Sequence, residues 1–170
     1  MFFDDYGQQI SGVHWILLQA FLKRPDEMYM RYFIYNFWLN RNTGKPEKEW
    51  EAYAEKVREV NKMFGNQAIP GYETDRGVIF LKYGKPDDRV VVGGEQGSLP
   101  YEIWQYNSIR GAGKDGVFLF YRPENMANDM RLLHSTVTGE VRDMNWKAYL
   151  FPNGVPDVVE SKAQQYIRNR

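Results

Sequence analysis

The spacing of apolar residues changes period once along this chain, near residue 70, and that change constrains the fold more than any other feature. Before it, Met30, Phe33, Ile34, Phe37 and Trp38 recur at i, i+3, i+4, i+7 and i+8, one broad helical face. This predicts a helix from Pro25 to Arg41, with Pro25, Asp26 and Glu27 suited to a first turn. A second helix is expected from Pro46, with Trp50, Tyr53, Ala54, Val57, Val60 and Phe64 as its stripe and Gly65 just past its end. Upstream, the apolar stretch from Trp15 to Lys23 reads as a strand leading into a short helix.

After the change the chain is punctuated by glycine. Val78 to Tyr83 is β-branched and aromatic between Gly77 and Gly84, and is expected to be a strand. Further strands are expected at Arg89 to Val92, Tyr101 to Tyr106 and Val117 to Tyr121, with a fifth from Leu132 to Thr136. Short Gly-rich connections favour an antiparallel meander over parallel crossover units. Pro156 to Arg168 carries Val159, Ala163, Tyr166 and Ile167 at helical spacing and should close the chain as a helix. The fold class is therefore α+β: an antiparallel sheet of four or five strands with N-terminal helices packed on it and a C-terminal helix. One domain is expected over 1–170, helical at about 16–65, sheet at about 77–136 and helical again at about 156–168.

A chain of 170 residues buries roughly 70% of its unfolded surface, enough for a core without staples. That matters because there is no cysteine, which removes disulfides, thiolate nucleophiles and thiolate metal sites together. Lys plus Arg and Asp plus Glu both number 22, so no net charge attracts a phosphate backbone or an anionic bilayer. No apolar run approaches the roughly 20 residues of a membrane helix, and no signal peptide opens the sequence. Nucleic acid is not an expected partner.

Chemistry must then come from the remaining polar residues. His14 and His134 lie far apart and form no metal-ligating pattern, so no metal site is expected. The adjacent pairs Asp4-Asp5 and Asp87-Asp88 point to opposite sides of an extended segment and make no acid/base dyad. Neither a nucleophile elbow nor a phosphate-binding loop is present, and no cofactor is expected.

The densest polar run is Gly71-Tyr72-Glu73-Thr74-Asp75-Arg76-Gly77, where the helical half hands over to the sheet. Asp75 and Thr74 can accept bonds from nearby backbone N–H groups, and Arg76 can clamp carbonyls or a carboxylate. The run reads first as a stapled junction and second as an exposed Glu73/Asp75/Arg76 site. Separately, of the 27 aromatic residues most are expected to fill a core between sheet and helices, and the rest to suit a protein–protein surface. As a strand, Val78 to Tyr83 would expose Val78 and Phe80. Together with the row Tyr29, Tyr32 and Tyr35 they are the candidate partner surface.

The run also carries a resemblance. Gly71-Tyr72-Glu73-Thr74-Asp75, followed by Arg76-Gly77 and by Tyr83-Gly84-Lys85-Pro86-Asp87, is similar to the motif that names the GWxTD domain family of bacterial proteins. Likeness continues through Phe37-Trp38, Arg41, Pro46, Tyr53, Val57, Asn61 and Phe64-Gly65. Downstream it takes in Pro100 to Tyr106, Phe118, Phe120, Leu133 to Thr136, Gly139-Glu140 and Trp146. It spans about Phe21 to Leu150, with one departure: the family's Trp is Tyr72 here.

The resemblance brings no established activity. It implies an envelope protein, periplasmic or associated with the outer membrane, in which this domain is the C-terminal portion of a longer chain. The leading expectation is a non-enzymatic protein-interaction or structural module with a protein partner in the bacterial envelope. The alternatives are a hydrolase using Asp75 or Glu73 with His134, and a carbohydrate-binding module that stacks a glycan on exposed rings.

Overall fold

A computed structural model describes residues 27–41, 44–95, 97–109, 113–124, 129–155 and 160–168, the side chains of 27–32 excepted. The expected elements at Trp15 to Lys23, the first turn at Pro25 and Asp26, and residues 156–159 of the terminal helix lie outside these. The chain divides after Glu59 into two compact units.

In the first unit, helix α1 (Glu27–Arg41) and most of helix α2 (Pro46–Phe64) follow the expected bounds closely. Trp38 packs its ring against Trp50 at 6.1 Å and Tyr53 at 5.5 Å between centroids, and edge-on to Phe37 at 5.1 Å. The Arg41 guanidinium lies 4.7 Å from the Phe37 ring centre, so the last turn of α1 also carries a cation–π contact.

The second unit, from Val60 onward, is built on a four-stranded antiparallel sheet in the order β1-β2-β3-β4. Its strands are β1 (Asp88–Val92), β2 (Tyr101–Ile109), β3 (Gly113–Tyr121) and β4 (Arg131–Ser135). The register pairs Trp104 with Arg89 on one side and with Phe118 on the other. Strand alternation then sorts the core into two layers. Trp104, Tyr106, Phe118 and Phe120 face the last turn of α2, where Val60 and Phe64 are buried. Tyr101, Ile103, Val117 and Leu119 face the other way, under helix α4 (Trp146–Leu150) and helix α5 (Lys162–Arg168). The fold is α+β, as read from the sequence, and the four strands among the described residues fall within the expected four or five.

One expected strand is a helix. Residues Asp75–Tyr83 form helix α3, and the sheet begins at Asp88 instead of near 77. The run Val78-Ile79-Phe80-Leu81 has strong strand preference, but tertiary packing overrides so weak a prior. Thr74 supplies the N-cap, its hydroxyl accepting from the Gly77 N–H at 3.0 Å. Arg76, Ile79, Phe80 and Tyr83 then fall at i, i+3, i+4 and i+7, the face turned to the sheet. Phe80 therefore joins the core, packing against Phe64 and Trp104. Val78, on another face, remains 37% exposed. The expected pairing of Val78 and Phe80 on one exposed face is corrected: residues two apart share a face on a strand and not on a helix.

Candidate functional site at the Gly71–Gly77 turn

A short 3₁₀ turn, Gly71–Glu73, leads into α3 and lies directly on the end of α2. Its closeness depends on glycine. A Cβ at Gly71 would stand 2.2 Å from the Val60 carbonyl oxygen, and one at Gly77 would stand 1.8 Å from the Gly71 carbonyl oxygen. Two backbones thus touch where any larger residue would hold them apart. Asn61 fixes the turn from α2, its side-chain oxygen accepting from the Tyr72 N–H at 3.1 Å. The Gly71 carbonyl accepts from both the backbone N–H of Thr74 at 3.1 Å and its hydroxyl at 2.7 Å. Thr74, buried, thus donates and accepts with one hydroxyl.

Asp75 and Arg76 tie this turn to the sheet. One carboxylate oxygen of Asp75 accepts from the Leu132 N–H of β4 at 2.7 Å, with the Arg131 Nε 3.3 Å away. Arg76 passes its guanidinium over the Phe64 ring, 5.2 Å from its centre, and donates to Glu102 Oε2 at 3.2 Å. Glu102 is 1% exposed, yet all its company is favourable. Its other oxygen accepts from Arg89 Nε of β1 and from the Trp104 indole N–H. Two guanidinium groups and an indole therefore satisfy a carboxylate that would be costly to bury alone.

The far end of α3 is pinned as well. Glu140 Oε1 accepts from Lys82 Nζ at 2.5 Å and from the Tyr83 hydroxyl at 2.6 Å. Burial first, and the neighbouring Glu140 carboxylate second, push the Tyr83 phenol far above its ordinary value. Tyr106 donates to the Gly84 carbonyl at 2.9 Å, closing the C-terminal side of the helix.

The arrangement accounts for most of the polar run by structure. Gly71, Thr74, Asp75, Arg76 and Gly77 each have a packing or bonding task. Among the described residues, Tyr72 and Glu73 bond only to each other, side chain to side chain; both are exposed, Tyr72 by 43%. The hydrolase grouping does not assemble. His134 lies on the opposite face of the sheet from α3, where its ring neighbours Trp146 and its Nδ1 meets the Asp143 carbonyl at 2.7 Å. Asp75 is committed to β4, and Glu73 projects from the 3₁₀ turn. Of the tyrosine row, Tyr35 is 49% exposed, while the side chains of Tyr29 and Tyr32 lie outside the described residues. Tyr35 and Val78 belong to different units.

Sequence reasoning missed Glu102, Arg89 and Arg131 as partners of the run. One signal for Glu102 existed: it shares a strand face with Trp104 and Tyr106, so burying those rings buries the carboxylate too. No comparable signal marked Arg89 or Arg131.

Among the described residues, no helix is long and apolar enough to cross a membrane. No curated protein and no solved structure matches the chain significantly. A family model does: that of the GWxTD domain matches residues 20–140. With the motif run, the sheet and all of α1 to β4 inside that match, the chain belongs to the GWxTD domain family.

Proposed function

We propose that this domain is a non-enzymatic protein-interaction module of a bacterial cell-envelope protein, and that the Gly71–Gly77 turn presents its contact residue. The observation that carries this reading is the fate of the motif's side chains. The polar side chains from Thr74 to Arg76 are engaged within the fold: Thr74 caps α3 and binds the turn, while Asp75 and Arg76 reach the sheet. The motif's aromatic, Tyr72, is left outside. A ring kept at the surface of a rigid turn suits protein contact, since tyrosine offers large area and a hydroxyl at small entropic cost. The envelope setting is supported by the family resemblance alone.

The reading is tested by affinity purification of the full-length protein from its native host, comparing the parent with Tyr72→Ala. A partner retained by the parent and lost from the variant, with the melting temperature changed by no more than a degree or two, is the expected result. An unchanged set of co-purifying proteins would move the contact away from Tyr72.

A further inference from the structure

An open sheet has two edges, and each presents unpaired backbone groups to any passing strand. Here the edges are β1 and β4. At β4 the Leu132 N–H does not wait for a partner: the Asp75 carboxylate accepts it at 2.7 Å. Ladder N–H groups lie in the plane of the sheet, so an acceptor other than β3 occupies the place where the next strand's carbonyl would sit. The same carboxylate oxygen is 3.3 Å from Arg131 Nε, and Arg131 is itself half exposed on that strand. Asp129, just before β4, lies 3.9 Å from another nitrogen of the same guanidinium. A charge on an edge strand and a covering helix are both recognised means of refusing strand addition.

We propose that Asp75 is an edge guard: by capping the Leu132 N–H from the first turn of α3, it prevents β4 from pairing with β4 of a second copy of this chain. The occupant refused is a second copy because every copy presents the same five-residue strand, and antiparallel pairing of identical edges closes into a two-fold dimer. Asp75 thus has a task besides holding α3 in place, and the task acts between molecules.

The test is a concentration series of size-exclusion chromatography with light scattering on the full chain. Asp75→Ala should gain mass with concentration relative to the parent. Asp75→Asn keeps an acceptor oxygen and should behave as the parent. Adding Leu132→Pro to Asp75→Ala removes the N–H that a new strand would need, so the association should disappear. Should Asp75→Ala lose its native circular dichroism, Asp75→Ser replaces it in the series: it keeps a residue suited to a helix start, and its hydroxyl stops one bond short of the carboxylate's reach. An alanine or serine variant that stays folded and matches the parent's mass at every concentration overturns the proposal. So does association that persists with proline at 132.

Discussion

Arg76 and Glu102, 26 residues apart in sequence, meet at 3.2 Å beneath α3 and join the motif run to the middle of the sheet. The pair is asymmetric. Glu102 is buried and shared by Arg76, Arg89 and the Trp104 indole, whereas Arg89 keeps nearly half of its side chain in water. Removing the carboxylate strands a buried guanidinium; removing Arg76 leaves the carboxylate two other donors. Glu102→Ala is therefore expected to cost about 3–5 kcal/mol, and Arg76→Ala about 1–3 kcal/mol. Urea unfolding of both variants decides it. Equal losses, or a larger loss for Arg76→Ala, would show that the charge sharing is misjudged.

How legible was this in the sequence? The helical stripes of α1 and α2 and the glycine-bounded strands were legible because period reports burial directly. Helix α3 was not, since Val78 to Leu81 satisfies strand preference and the deciding signals sit outside that run, in Thr74 as N-cap and Gly84 after the last turn. At the site, the roles open to Thr74, Asp75 and Arg76 follow from their side chains. Their partners do not, because Glu102 and Leu132 are brought in by strand order and register, which no local spacing encodes.

Gly77 offers a test in which two effects of opposite sign compete. Alanine inside a helix is ordinarily better than glycine by about 1 kcal/mol. At Gly77 the new methyl would stand 1.8 Å from the Gly71 carbonyl oxygen and 2.9 Å from Val60 Cγ1, so the turn and α2 must separate. Overpacking of this kind costs roughly 1–3 kcal/mol or more, and it should win. Gly77→Ala is expected to lower the melting temperature. A variant more stable than the parent would mean that the backbone contact is looser than described.

His134 should give stability a dependence on mild acid. Burial lowers its pKa below the ordinary value of 6.5, with Arg142 adding to the shift and the Asp143 carbonyl opposing it. The unfolded chain therefore takes up a proton more readily than the folded one. Stability is intact above the unfolded value and falls as pH drops below about 6.5. His134→Asn retains an N–H for the Asp143 carbonyl and cannot titrate. Its melting temperature should change less than the parent's between pH 7 and pH 5.5. Parallel curves would assign the acid sensitivity to other groups.

Asp75 separates a structural motif from a catalytic one. Alanine there withdraws the acceptor of the Leu132 N–H, the partner of Arg131 and a negative charge in the first turn of α3. The exposed ion pair contributes little, and the lost backbone acceptor and helix-dipole complement together come to about 1–3 kcal/mol. Asparagine keeps the acceptor and loses the charge, so it should lie between alanine and the parent. A catalytic carboxylate behaves oppositely, because groups held for chemistry are often strained and their removal tends to leave stability unchanged or raised. Melting temperatures measured at dilution, where any association of the alanine variant is suppressed, are expected to fall in the order parent, Asp75→Asn, Asp75→Ala. An alanine variant as stable as the parent would reverse the structural reading of the motif and return Asp75 to the list of candidate reactive groups.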